Sequence, residues 1–188
     1  LPARHEGGPH HPPDARRQEG FALRILKWLM IFMIALVVLA LLLVGYFYAT
    51  ARVSIVAYDA RGVSASQRAD EFARVKTALA QDALIGSRFS TAPLGEAADY
   101  AFITYTLRLS NQCLVPVDMV EVQVVPDPSD IAQIGDLTVY SLDAKTQGDI
   151  TATILTVKES NAIRELIVSY YVWGVSFTIR ETYGAGSA

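Results

Sequence analysis

Histidine, lysine, carboxylate and thiol side chains carry what chemistry this sequence offers, and their spacing limits what each can do. His5, His10 and His11 are the only histidines. A His-rich tract can bind a metal ion, but these three are scattered without a Cys or carboxylate framework, which predicts a solvated segment. Lys76, Lys145 and Lys158 are candidates for a Ser–Lys pair, and no spacing singles one out. Asp118, Glu121, Asp127, Asp130 and Asp136 offer carboxylates of the kind that hydrolyse glycosides in pairs. The last three could also supply oxygen ligands to Ca²⁺, but their spacing departs from the DxDxDG loop. Residues 49–188 contain no histidine, so Ser-His-Asp and Cys-His machinery and His-ligated zinc are excluded there. No Walker loop, GxGxxG after a strand, GxSxG elbow or CxxC occurs. The expectation is a chain without a catalytic set, a metal site or a cofactor. The positive signal is aromatic: Tyr170, Tyr171, Trp173 and Phe177 cluster near the end of the sequence. In an alternating strand half of them face outward, and an exposed Tyr/Trp stripe suits a protein or glycan interface.

The element that positions everything else is the run Trp28 to Tyr48, with no charge, proline or amide side chain. Its 21 residues span roughly 32 Å as a helix, the thickness of a bilayer's hydrocarbon core. Arg16, Arg17, Arg24 and Lys27 precede it, whereas Arg52 and Arg61 are the first basic residues after it. Basic flanks resist translocation, so the sequence predicts the N-terminus in the cytoplasm and residues 49–188 outside. Trp28 at one edge and Tyr46, Phe47 and Tyr48 at the other are the residue types that settle at membrane interfaces. Two alternatives involve cleavage. Ala49-Thr50-Ala51 has the small-x-small form of a signal-peptidase site, although the apolar run is longer than a cleavable one. Gly20-Phe21-Ala22-Leu23 before an apolar helix resembles the processing site of type IV pilins. That resemblance implies a subunit assembled through its apolar helix and an acidic fifth mature residue, where this chain has Ile25.

Residues 1–27 carry five basic and three acidic side chains among Pro, Gly and His, and are expected to be a disordered cytoplasmic tail. Residues 49–188 carry 11 basic and 16 acidic side chains, the wrong balance for a nucleic-acid surface. They make one ordinary domain with a single cysteine, Cys113, so no internal disulfide can form and the hydrophobic core must hold the fold. Alternation predicts strands at 52–59, 100–110, 117–125, 136–143 and 149–157. Helical spacing of Ala69, Phe72, Val75, Leu79 and Ala83 predicts one amphipathic helix over 65–84, closed by Gly86. Asp127-Pro128-Ser129-Asp130 and Gln147-Gly148-Asp149 read as turns. In 163–182 the apolar set is even up to Val172 and odd from Val175, which predicts one strand bent at Gly174 or two strands meeting at a corner there; a tight hairpin at Gly174 is the alternative, with Trp173 and Val175 poor turn residues beside it.

The class that follows is a single N-terminal transmembrane helix and a mainly-β domain, an immunoglobulin-like sandwich or an α+β fold. The stretch Tyr105-Thr106-Leu107-Arg108-Leu109-Ser110-Asn111, the loop to Pro116-Val117 and the strand Val120-Glu121-Val122-Gln123-Val124 resemble immunoglobulin-like sandwiches of the late-embryogenesis-abundant type in bacterial envelope proteins. That resemblance implies binding or structural roles. The sequence expectation is therefore a membrane-anchored, extracytoplasmic binding or structural protein with the bilayer and a protein or envelope component as partners, no nucleic acid, and oligomerisation left open. A pilin-like subunit or a His-independent envelope hydrolase are the alternatives.

Overall fold

The structure is a computed structural model, and it describes residues 15–50, 52–135 and 139–183. The chain divides after Tyr48 into two compact units. The first contains one helix, α1 (Ala15–Thr50). Within it Arg24–Ala49 is long and apolar enough to cross a membrane, and its apolar side chains are exposed. The helix begins well before Trp28, so residues 15–27, expected to be disordered, are helical. Nucleation is the costly step in helix formation, and the apolar run supplies it; outward propagation then adds a hydrogen bond per residue. The predicted tail from 1 to 14, with all three histidines, lies outside the described residues.

The second unit is built on two antiparallel sheets. Strands β1 (Val53–Ser64), β2 (Gly86–Arg88), β3 (Tyr100–Asn111), β5 (Asp130–Ile134) and β7 (Gln147–Val157) form a sheet in the order β1-β3-β7-β5-β2. Strands β4 (Val117–Val124), β6 (Tyr140–Leu142), β8 (Arg164–Val172) and β9 (Val175–Tyr183) form the other in the order β6-β4-β8-β9. Alternation assigns the faces. Ile103, Tyr105, Leu107 and Leu109 of β3 and Ile150, Ala152 and Ile154 of β7 share a core with Val120, Val122 and Val124 of β4 and Leu166, Val168, Tyr170 and Val172 of β8. The intervening residues Phe102 and Leu155, paired across β3 and β7, point to the opposite face. There they meet Phe72, Val75 and Leu79 of α2 (Ala69–Ala80), so the amphipathic helix covers the five-stranded sheet.

Several elements differ from the sequence expectation. The predicted helix over 65–84 is a 3₁₀ turn, Ala65–Arg68, followed by the shorter α2. It closes at Gln81 and Asp82, with Asp82 in the left-handed region at φ 54°. Gly86 instead opens β2 at φ 130°, where a Cβ would run into the Gln133 carbonyl and the Gly135 amide. Gln147-Gly148-Asp149 begins β7, and the reversal lies earlier, where Thr146 donates its amide and hydroxyl to the Asp143 carbonyl. Strand β5 follows the Asp127–Ser129 turn directly, and the predicted strand at 136–143 reduces to β6, with 136–138 outside the described residues.

The run 163–182 is a tight hairpin, not a bent strand. Val172 pairs with Val175 around the two-residue turn Trp173-Gly174, with φ of 50° and 76°. Two positive φ values define the turn whose twist matches that of paired strands. The same register explains the change of phase: Val168 faces Ile179 and Tyr170 faces Phe177, so even residues of β8 share a face with odd residues of β9. Trp173 is the costly member, because a left-handed conformation disfavours a bulky L-residue by about 1–2 kcal/mol. Replacing Trp173 by Asn, which tolerates that conformation, should stabilise the sandwich by up to about 1 kcal/mol in urea denaturation of the detergent-solubilised chain; unchanged or lower stability would count against the turn assignment.

Candidate functional site

Of the carboxylates and lysines weighed for chemistry, Glu121, Asp127, Asp130, Lys76 and Lys145 have structural partners, and Lys158 is exposed. Asp130 is buried and accepts a bidentate pair from buried Arg164, Nε to Oδ2 at 2.7 Å and Nη2 to Oδ1 at 2.7 Å. Its Oδ2 also accepts the Asp127 amide at 2.8 Å. The remaining guanidinium donors reach the Asn161 carbonyl and side chain, the Ile163 carbonyl and the Ser160 hydroxyl. Beside them Tyr105 donates its hydroxyl to the Ala162 carbonyl at 3.0 Å, and burial pushes its pKa up to about 12. Asp127 accepts the Ser129 amide and hydroxyl, which hold its carboxyl below the ordinary range. The candidate Ca²⁺ acids are thus a turn and an ion pair, with Asp136 outside the described residues. Asp118 and Glu121 lie exposed on the outer side of β4. Lys76 and Lys145 donate to the Gly95 and Gln112 carbonyls and not to serine hydroxyls. No group of three His, Cys, Asp or Glu able to hold a metal occurs among the described residues. Cys113 is buried, and burial raises its thiol pKa.

The aromatic cluster divides between two faces. Tyr170 is 4% exposed, stacks on Phe177 at 5.6 Å and accepts the Val53 amide at 3.4 Å on its hydroxyl, so it belongs to the core. Phe177 is half-buried beside it. Tyr171 is 37% exposed on the other side of β8, and Trp173 is 62% exposed at the hairpin tip. Alternation had placed half of the cluster outside, but only the register shows which half, and no single stripe results. Trp28, Tyr46, Phe47 and Tyr48, the residues expected at membrane interfaces, lie on α1, with Tyr46 and Phe47 edge to face at 6.0 Å.

The surface with unused binding capacity is a backbone one. Of the four sheet edges, β2 and β6 are three residues each, and β1 is interrupted by a bulge between Ile55 and Ala57. Short or bulged edges resist further pairing. Strand β9 pairs with β8 in unbroken register from Val175 to Tyr183, and no strand among the described residues pairs with its other side. A two-residue hairpin makes Val172 and Val175 a hydrogen-bonded pair, and such pairs alternate. The amides of Ser176, Thr178 and Arg180 therefore point away from β8. Those three residues were missed in the sequence; their polar alternation with Val175, Phe177 and Ile179 was the available signal.

No protein-family model matches the chain, and no curated protein matches it.

Removing one member of the buried pair strands the other. Asp130→Ala or Arg164→Ala should cost about 3–5 kcal/mol, and a double replacement by apolar residues of similar volume less than either, measured by urea denaturation; a cost below about 1 kcal/mol for the single variants would contradict the burial. Burial also raises the Tyr183 hydroxyl to about 12. Between pH 10 and about 12 the folded state then holds protons on Tyr105 and Tyr183 that the unfolded chain has lost. Stability should therefore be complete below pH 10 and fall as pH rises through that window. Tyr183→Phe should make the fall shallower in a pH series of melting temperatures.

Proposed function

We propose that this chain is a single-pass membrane protein, N-terminus in the cytoplasm, that carries a non-catalytic binding or structural domain outside the cytoplasmic membrane. The open β9 edge carries the reading. It offers a partner the main-chain amides of Ser176, Thr178 and Arg180, while the other edges are short or bulged. An extended segment laid along β9 would extend the four-stranded sheet, the mode in which main-chain bonds give affinity and alternating side chains give specificity. The partner is a protein, because only a polypeptide supplies matching carbonyls at strand spacing.

The anchor and its orientation support the placement. The apolar run is long enough to span, and basic residues concentrate before it. The two antiparallel sheets with a common core fit an immunoglobulin-like envelope domain, to which α2 on the outer face would be an addition.

A photo-crosslinking amino acid at Thr178 of the full-length protein, expressed in a bacterial host together with its native envelope proteins, should capture a protein partner on illumination. The same group at Glu159, in the loop after β7, should not. Thr178→Pro removes the outward amide without touching the bonds to β8 and should lower capture at Ser176 about tenfold. Equal capture from both positions, or capture unaffected by the proline, would sink the edge-pairing reading.

A further inference from the structure

One end of the sandwich gathers large apolar side chains from separate segments. The register of β1 sets Val53 opposite Asn111 at the end of β3, and that of β4 sets Asp118 opposite Tyr171 near the end of β8. The start of β1, the 112–116 loop and the Trp173-Gly174 turn therefore lie at the same end. Hydrogen bonds agree: the Gln112 amide donates to the Arg52 carbonyl at 3.0 Å, and the Val53 amide to the Tyr170 hydroxyl. At this end Leu114 is 57% exposed and Trp173 62%, with Met119 and Val175 also exposed. Two of the four sit on strained backbone, Met119 at φ 51° in the β4 bulge and Trp173 at φ 50°. Such strain persists where the presented side chain has a use. Neither residue suits its position locally, since a positive φ is held most cheaply by Gly, Asn or Asp.

We propose that this end is a second membrane contact, in which Trp173, Leu114, Met119 and Val175 enter the interfacial layer of the same bilayer that the apolar helix crosses. The inference rests on the anchor reading above. Tyr48 ends the apolar run and β1 starts at Val53, and the four residues between them can span no more than about 14 Å. With the span inserted, the end of the sandwich where β1 starts cannot leave the neighbourhood of the headgroups. Trp is the side chain best suited to that layer, apolar in body with one N–H to hydrate. Arg52 and Lys145, exposed at the same end, carry the charge that headgroup phosphates accept. The contact would fix the tilt of the domain, so that β9 leads away from the membrane surface and its edge is held out for a partner.

The chain has only two tryptophans, Trp28 and Trp173, so each can be made the sole reporter. The full chain is reconstituted into phosphatidylcholine vesicles containing lipid brominated close to the headgroup. In Trp28→Phe, emission from Trp173 should be quenched about twofold relative to unbrominated vesicles, with a blue shift. In Trp173→Phe, emission from Trp28 should be quenched as well, reporting the span. Leu114→Asp added to Trp28→Phe should restore most of the Trp173 emission. Quenching of Trp28 without quenching of Trp173 would overturn the second contact while leaving the anchor intact. Quenching of neither would overturn both, and a Leu114→Asp chain still fully quenched would remove the patch as its cause.

Discussion

The pairing of Arg164 with Asp130 is the constraint on which the arrangement of the two sheets depends. Asp130 opens β5 in the five-stranded sheet, and Arg164 opens β8 in the four-stranded one. Taking both charges out of water costs several kcal/mol each, which their attraction repays only with good geometry and satisfied remaining donors. Both conditions hold: the contact is bidentate, the remaining donors have Asn161, Ser160 and Ile163 as acceptors, and no buried side-chain polar atom among the described residues lacks a partner. What the pair supplies is therefore register between sheets rather than net stability. An apolar core alone tolerates sliding of one sheet over the other; a forked charge pair has one productive position.

Neutral side chains repeat the device elsewhere. Gln133 of β5 donates to the Val122 carbonyl at 2.7 Å and accepts the Val124 amide at 2.8 Å, closing the part of β4 that the short β6 does not reach. At the other end buried Asn111 donates to the Val115, Leu142 and Asp143 carbonyls and accepts the Cys113 amide. Polar crosslinks of this kind do in a chain with one cysteine what disulfides do in small secreted domains. Cys113 is buried beside the Asn111 turn, its amide held by the Asn111 side chain.

The parts legible in the sequence were those with a period. The apolar residues of β3 and β7 recur with a period of two, those of β4 do so from Val120 onward, and Phe72, Val75 and Leu79 mark the buried face of α2. The parts that were not legible depend on distant partners. Asp130 reads as a turn acid because nothing local announces an arginine 34 residues later. The hairpin at Trp173-Gly174 was concealed because Trp is a poor turn residue, although the phase change from Val172 to Val175 is what a two-residue turn imposes. The aromatic cluster was visible as composition, but its division into core and surface follows from register alone. At β4, Val117 and Val120 are both buried because the bulge inserts one residue between them, which breaks simple alternation at Asp118 and Met119.

These failures of local expectation are unevenly distributed. Among the described residues four non-glycines have positive φ: Asp82, Met119, Lys145 and Trp173. Asp82 ends a helix, and Asp is among the residues that adopt this conformation readily. Lys145 lies in the turn between β6 and β7, and its ammonium donates to the Gln112 carbonyl, so its geometry ties two loops together. Met119 and Trp173 are large apolar residues in this conformation, and both are exposed at one end of the sandwich. Folding alone would favour a small polar residue at each. A sequence that breaks a local rule twice in the same place and in the same direction is what the membrane contact proposed for this end of the domain would require.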